Sequence, residues 1–296
     1  MHYTGQVYRP PVEEWTQLLE VTSGCSHNKC SFCSMYNKTD FAVSPLEDVE
    51  ADLKEIKQRC KRPVDRIYLL NGDPFCLSTE RLSKIADLIH EQLPGVKTIT
   101  CYCSLKNLKN KTVDDLKFLK ELGYDQLYVG IETGYGPALE LINKGMTLAE
   151  YREELKKLKD SSLSYHAFLI MGIAGKGKAK KNAQDSAKLL NSYPPLSVSI
   201  TPLDLTTESK LSLLRDQAKF KEATEREILE EEIYLLEALD LPDDTIFSSI
   251  HPSNLFNDKG TFGEKDRLIE NISFILSHIS TVILDNPNRK RLYALK

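Results

Sequence analysis

Three cysteines, Cys25, Cys30 and Cys33, crowd the short polar stretch from Val21 to Tyr36, VTSGCSHNKCSFCSMY. Thiols this close in sequence cannot all pair as disulfides, and as thiolates they repel one another unless a soft metal or an iron–sulfur cluster neutralises them. A closed zinc or iron–sulfur site takes four ligands, so three thiolates leave one position open. An open iron can bind a cofactor through that cofactor's own ligand atoms. His27 could instead complete a closed Cys3His zinc site. Spacing alone admits both.

Other residues with chemical capacity lie further along the chain. Glu132, within Gly130-Ile131-Glu132-Thr133-Gly134, can accept hydrogen bonds from hydroxyls or an ammonium group, or can cap a helix. Asn71-Gly72-Asp73-Pro74 consists of residues that all favour turns. Cys101 and Cys103 stand two apart on an expected strand and share one face. If that face lines an enclosed interior, either thiol can give a hydrogen atom to a substrate radical, and Cys76 could join them in a second cluster. The plainer reading is small core residues. His166 and His251 either line a substrate end or are satisfied structural histidines.

The elements that must position these groups alternate. Trp15 to Thr22 reads as a first buried strand, running directly into the cysteine loop. Ser44-Pro45-Leu46-Glu47 combines an N-cap, a proline at the first helical position and a capping-box glutamate, with an apolar stripe through Leu53, Ile56 and Cys60, which makes Cys60 a core residue. Strands are expected at 65–70, 96–103, 125–131, 164–171 and 196–201, with helices starting at Ser78, over 112–122, after Gly134, at the Thr147/Glu150 capping box and near 178–191. Six strands, each followed by a helix, imply parallel pairing with right-handed crossovers, in an open doubly wound sheet or an incomplete barrel. Ligands gather at the C-terminal ends of such strands, where the cysteine loop, Asn71 to Pro74, Glu132 to Gly134 and Gly172 to Gly175 all fall. After residue 206 the alternation stops and helices dominate, with a Thr224/Glu227 capping box and a last amphipathic helix over 268–279. The expected organisation is a lead-in over 1–14, a core over 15–206 and a mainly helical extension over 207–296.

Composition excludes little. The 296 residues are 41% hydrophobic and 28% charged, and a formal net charge of −4 gives no bulk electrostatic case for nucleic acid. No apolar run approaches the roughly 20 residues that span a bilayer, and MHYTGQVYRPP lacks the apolar centre of a signal peptide. Seven cysteines, three of them clustered, do not form the framework of a small secreted domain. A cytoplasmic protein with no membrane partner is expected. The lysines between Lys176 and Lys181 and the tail at Asn288 to Arg291 read as solvated.

The phrases YRPPVEEW, VTSGCSHNKCSFCSMY and HPSN give the chain, over almost its whole length, a resemblance to the radical S-adenosylmethionine (radical SAM) superfamily. The wording is nearest to members grouped with oxygen-independent coproporphyrinogen oxidases and Elongator-type catalytic subunits. The resemblance implies an α/β fold, a partial (β/α)6 TIM-type barrel with a mainly helical C-terminal extension. It implies a [4Fe–4S] cluster on Cys25, Cys30 and Cys33 whose fourth iron binds S-adenosylmethionine (SAM). The first two cysteines here are one residue further apart than is commonest. Phe32 matches the aromatic beside the adenine, and Met35 follows in the same loop. Asn71, Gly72 and Asp73 match the turn that receives the methionyl ammonium, with Asp73 where glutamate is more frequent. Glu132 matches the acidic residue that reaches the cofactor, and Ile173 the apolar contact to adenine. Arg152 is a further candidate for the cofactor carboxylate. The activity implied is reductive cleavage of SAM to a 5′-deoxyadenosyl radical that abstracts hydrogen from an organic substrate, fed by an external donor such as flavodoxin or ferredoxin. A non-catalytic zinc or iron–sulfur module is the alternative. Relatives suggest tetrapyrrole or RNA substrates; the mild acidity and lack of an RNA-binding appendage weigh against RNA and for a small molecule.

Overall fold

The computed structural model describes residues 1–287, so the tail at Asn288 to Arg291 lies outside the described residues. Along the chain, β1 (Gln17–Leu19) precedes a small ribbon, β2 (Thr22–Ser23) and β3 (Ala42–Val43), and α1 (Leu46–Arg59). Then come β4 (Arg66–Leu69), α2 (Thr79–Gln92), β5 (Thr98–Cys103), the single turn α3 (Leu105–Leu108) and α4 (Val113–Glu121). β6 (Leu127–Glu132) leads to α5 (Gly136–Leu141) and α6 (Leu148–Asp160), then β7 (Tyr165–Met171), α7 (Ala179–Ser192) and β8 (Ser197–Pro202). The chain continues through α8 (Lys210–Asp216), α9 (Glu225–Ala238), β9 (Ile246–Ser248), β10 (Lys259–Thr261), α10 (Lys265–His278) and α11 (Thr281–Leu284). Contacts divide it into two compact units. Among the described residues, no helix is long and apolar enough to cross a membrane.

The first unit comprises Met1–Asn28, Met35–Gly130 and Glu153–Tyr165. Its strands are parallel, with Gln17 opposite Ile67, Arg66 opposite Thr98 and Tyr102 opposite Tyr128. Ile67, Tyr68 and Leu69 are all fully buried, so β4 after Arg66 is a continuous buried run, as in a parallel strand covered on both faces. Ser78 caps α2 by accepting a hydrogen bond from the Arg81 amide at 3.1 Å, as its sequence predicts. Three expectations need correction. α1 begins at Leu46 with Pro45 as its N-cap and no side-chain cap, and the Ser44 amide, which the expected capping box would have given to Glu47, donates to the Val21 carbonyl at 3.0 Å. Cys60, expected in the core, is half-buried at the C-cap of that helix. The first strand is also shorter than expected, and Trp15 is 87% exposed.

What goes inside in place of Trp15 is Glu13, which is 1% exposed. Its carboxylate accepts hydrogen bonds from Arg66 Nη2 at 2.6 Å, Arg66 Nε at 3.0 Å and the Tyr128 hydroxyl at 2.5 Å. Burial pushes the Glu13 carboxyl up, but the bonds from Arg66, Thr16 and Tyr128 outweigh it and hold the group below its ordinary value of 4.5. A carboxyl depressed by folding stabilises the protein above its unfolded pKa, and that contribution is lost as pH falls through the folded value. Glu13→Gln is expected to cost about 2–3 kcal/mol at pH 7 in urea unfolding, because it strands Arg66 without its counter-charge. The gap from the parent should shrink as the pH is lowered below the ordinary value of 4.5. A gap independent of pH would remove the ion pair from the account.

The second unit comprises Lys29–Ser34, Ile131–Arg152 and the described residues from His166 onward. Here β7, β8 and β9 run parallel, with His166 opposite Ser197 and Ser197 opposite Ile246, and β10 closes antiparallel on β9 with Gly260 opposite Phe247. The strands β9 and β10 are a correction to the expected end of the alternation after residue 206. Each holds three residues, too few for a period-2 pattern to register. The capping boxes at Thr147/Glu150 and Thr224/Glu227 are present, the threonine amides donating to the glutamates at 2.7 and 2.9 Å. α9 packs against α7 and α10, so it is covered on more than one side.

Candidate cofactor site

In the first unit, the cysteine loop begins at Gly24, whose φ of +64° a side chain would strain, and whose added Cβ would lie 2.8 Å from the Thr39 and Asp40 carbonyls. The next residue, Cys25, is half-buried. Beneath it runs the turn after β4. The Gly72 amide donates to the Gly24 carbonyl at 2.9 Å, and a Cβ on Gly72 would stand 2.7 Å from Cys25 Cβ. Gly72 therefore forms a floor under the first cysteine.

Asn71 and Asp73, on either side of Gly72, direct their side chains to the protein itself. Asn71, 2% exposed with a φ of +77°, donates to Glu20 Oε2 at 3.1 Å and to the Thr22 carbonyl at 2.8 Å. Asp73, 1% exposed, accepts from Ser26 Oγ at 2.9 Å, from the Ser104 amide at 3.2 Å and from Asn107 Nδ2. Burial pushes the Asp73 carboxyl up to about 6, although the donors from Ser104, Ser26 and Asn107 pull it back. One carboxyl thus ties the turn to the residue that follows Cys25.

Lys111 was not legible as part of this arrangement, since a lysine in KNKT reads as solvated. It is buried, and its Nζ donates to the Phe75 and Leu77 carbonyls at 3.0 and 2.7 Å and lies 5.2 Å from the Phe75 ring centroid. The ammonium closes the far end of the same turn. Cys101 and Cys103 are buried in this unit, their thiols pushed well up by burial and then by the Asp73 charge. Cys76 is half-buried and pushed up to about 12 by the same two causes. His27 Nδ1 stands 3.2 Å from Lys106 Nζ, and Met35 is exposed.

In the second unit, Lys29–Ser34 is held by a set of hydrogen bonds. Ser31 is the anchor: its amide donates to the Ile142 carbonyl at 2.9 Å, its hydroxyl to the Leu141 carbonyl at 2.7 Å, and its carbonyl accepts the Leu211 amide at 2.7 Å. Asn143 Nδ2 adds a bond to the Lys29 carbonyl at 2.9 Å. Cys30 and Cys33, half-buried, are joined by a turn in which the Cys33 amide donates to the Cys30 carbonyl at 3.3 Å, and Phe32 between them is half-buried too.

Glu132 ends β6 with a φ of +61°, a strained conformation for a residue with a side chain. Its carboxylate pairs with Lys144 Nζ at 2.8 Å, both side chains being 12% exposed. Burial pushes the Lys144 ammonium down, but the Glu132 charge, with Tyr151 and Cys30 behind it, outweighs this and raises it. The Glu132–Lys144 ion pair therefore stands in the field of Cys30. In sequence Lys144 was only a flank of the Glu132 segment.

The remaining candidates are placed as follows. Ile173 is fully buried between Gly172 and Gly175, which have φ values of +76° and +82°. Arg152 is exposed on α6. His166 is half-buried with Nδ1 2.8 Å from Ser197 Oγ. In HPSN, His251 Nδ1 accepts the Ser253 amide at 3.2 Å, and Asn254 Nδ2 donates to the Ile200 carbonyl of β8 at 3.2 Å, so the motif fastens its loop to the strand.

The sequence profile of the radical SAM superfamily matches residues 19–187, more than half of the chain. The chain belongs to the radical SAM superfamily. This superfamily uses a [4Fe–4S] cluster and SAM. The tRNA-2-methylthio-N(6)-dimethylallyladenosine synthase of Alteromonas mediterranea is 26% identical over 181 residues, which cover 57% of this chain and 37% of that protein. The chain thus spans well under half the length of that relative. Coproporphyrinogen III oxidase HemN from Escherichia coli, a radical SAM enzyme, superposes with a TM-score of 0.54 at 19% identity, over 75% of this chain and 52% of its own. Methylornithine synthase PylB superposes with a TM-score of 0.52 at 17% identity, over 95% of this chain and 85% of its own. Those likenesses establish the fold, an α/β structure of the TIM-type barrel class with mostly parallel strands.

The donor set of this radical SAM chain suits its cofactors. None of the cysteines is in a disulfide, and the three of the loop are all half-buried. Among the described residues, no three His, Cys, Asp or Glu side chains are gathered to hold a single metal ion, so the assignment rests on the chemistry of the loop rather than on a preformed cage.

Proposed function

We propose that Cys25, Cys30 and Cys33 hold a [4Fe–4S] cluster with one iron left for SAM, and that the chain cleaves SAM reductively to act on a small organic substrate. The observation that carries this reading is the position of the three cysteines, in one loop between β2 and β3, shortly after the first strand and inside the segment that matches the superfamily. Bound there, the cluster and SAM would supply an electron and a 5′-deoxyadenosyl radical able to abstract hydrogen. The protein's own residues bind, orient and shield. Gly72 and Asp73 fix the Cys25 end of the loop, and Ser31 fixes the Cys30 and Cys33 end. Phe32, Met35, Asn71, Arg152 and Ile173 are proposed to line the cofactor. Glu132, already set against Lys144, is proposed to accept hydrogen bonds from its ammonium or ribose hydroxyls.

The core over 15–206 carries this chemistry in our reading, and 207–296 supports it. The electron would come from a cytoplasmic donor of the flavodoxin or ferredoxin kind. A zinc module would need His27 as its fourth ligand, and the Lys106 ammonium at its Nδ1 speaks against that. Cys101, Cys103 and His166 are proposed as weaker candidates for hydrogen donation or substrate contact. Tetrapyrroles fit the small-substrate reading; RNA, suggested by the tRNA-modifying relative, fits the bulk charge less well.

Anaerobic reconstitution with iron and sulfide, followed by dithionite and SAM, is expected to yield 5′-deoxyadenosine and methionine. Absence of 5′-deoxyadenosine from protein with verified iron and sulfide would overturn the proposal.

A further inference from the structure

Two loops of the second unit, Glu132–Tyr135 after β6 and Gly172–Lys178 after β7, are joined by a buried polar relay that no sequence pattern announces. Glu231, on α9 and 1% exposed, accepts the Gly172 amide at 3.1 Å with one carboxyl oxygen and Asn182 Nδ2 at 2.6 Å with the other. Asn182, on α7 and fully buried, in turn accepts the Thr133 hydroxyl at 2.5 Å. Thr133, also fully buried, accepts the Tyr135 amide at 2.9 Å. One turn before Glu231, Glu227 accepts the Gly177 amide at 2.6 Å. Each end of the Gly172–Gly177 loop therefore hangs on a carboxylate of α9.

Between those ends the loop is held by the Lys176 amide, which donates to the Lys221 carbonyl at 2.8 Å, and by the fully buried Ile173. Gly172, Gly175 and Gly177 all have φ values of +75° or more, a region that glycine enters freely in the unfolded chain as well. Its shape is set from outside. At the other loop, the Gly134 amide donates to Ser186 Oγ at 2.8 Å, and a Cβ on Gly134 would stand 2.5 Å from the Asp185 carbonyl oxygen, so α7 is pressed against the backbone there. Burial pushes the Glu231 carboxyl up to about 8, with the Asn182 and Gly172 bonds pulling it back, which is the cost of placing an acid among helices.

We propose that Glu231 and Asn182 are positioning residues that set the two loops jointly for one end of bound SAM. This rests on the reading that Glu132 and Ile173 face SAM. Neither residue touches the cofactor in this account; they act through the Thr133 hydroxyl and the Gly172 amide.

The test compares three variants on α9 in the full-length protein. Glu231→Met keeps the volume but leaves the Gly172 amide and Asn182 without acceptors. Glu231→Gln retains an acceptor for the Gly172 amide, and Asn182 can turn its amide over to meet the new donor. Leu235→Ala opens a cavity at a fully buried leucine of the same helix, one whose side chain has no polar atom and so takes no part in the relay. Glu231→Met should bind SAM about tenfold more weakly at unchanged iron content, and in cofactor-free protein the amides of 133–135 and 172–177 should exchange faster. Glu231→Gln should stay within about threefold of the parent on both counts. Leu235→Ala should lower the melting temperature without loosening SAM.

Parental affinity in Glu231→Met, or an equal loss in Leu235→Ala, overturns the proposal. If Glu231→Met does not accumulate as folded protein, Thr133→Val breaks the relay from its other end, and unchanged exchange at 172–177 in that variant would overturn the coupling. Failure of the parent to bind SAM would count against the cofactor reading, and the exchange comparison would then decide on the relay alone.

Discussion

The Cys25→Ala, Cys30→Ala and Cys33→Ala variants are each expected to lose the [4Fe–4S] absorption and all 5′-deoxyadenosine formation, whereas Cys60→Ala and His27→Ala keep both. A cluster held by three thiolates has no spare protein ligand, so removing one leaves two thiolates for four irons. Cys60 is the control because it sits half-buried at the end of α1, away from any expected ligand set. His27→Ala separates the open cluster from the closed zinc site, since only the zinc site needs an imidazole as its fourth ligand. Metal analysis after anaerobic reconstitution reads the result directly. One zinc per chain, lost in His27→Ala, would sink the cluster assignment, and full iron in any of the three loop variants would remove that cysteine from it.

The parts of this molecule that were legible in its sequence are those that local chemistry specifies. Thr147 with Glu150 and Thr224 with Glu227 are capping boxes in the sequence and in the fold, because the pairs satisfy amides only three residues away. Apolar runs such as DRIYLL announced parallel strands for a similar reason. The misplaced start of α1 is instructive: Ser44 has the right type for a cap, but its amide, which a capping box would give to Glu47, goes instead to the Val21 carbonyl, remote in sequence. Trp15 was expected at the start of a buried strand, while the buried residue there is Glu13, whose partners Arg66 and Tyr128 lie far along the chain.

Within the candidate site the same division holds. The cysteines were visible as a set because their spacing is local, and Gly72 because glycine and asparagine mark a turn. Lys111 and Lys144 were invisible because a lone lysine reads as solvated, and only tertiary contacts show their ammonium groups buried on carbonyls or on Glu132. Glu231 reads as the polar side of α9, yet it is buried, because that helix is covered by both α7 and α10. Periodicity reports how many faces a helix has, not how many are covered.

Gly72→Ala is expected to do nearly as much damage to the cluster as loss of Cys25 itself. The new Cβ would stand 2.7 Å from Cys25 Cβ, 2.9 Å from Tyr36 Cε2 and 3.0 Å from the Gly24 carbonyl oxygen. None of the three can yield easily. Tyr36 is 4% exposed and set edge-on to Tyr8 at 5.4 Å between ring centroids. Gly24 is confined by the Thr39 and Asp40 carbonyls, and the turn bearing Gly72 is tied down through Asp73 and Lys111. The strain falls on Cys25, which must move with the loop it begins. Overpacking of this kind costs about 1–3 kcal/mol, so the variant should fold, but reconstituted iron and 5′-deoxyadenosine should both fall toward the Cys25→Ala level. Gly136→Ala is the counterpart, because a Cβ there meets nothing within 4 Å in the first turn of α5. It should leave iron unchanged and raise stability by about 0.5–1 kcal/mol. Full iron and undiminished product in Gly72→Ala would mean that the cysteine loop yields freely, and that the turn after β4 does not set where Cys25 stands.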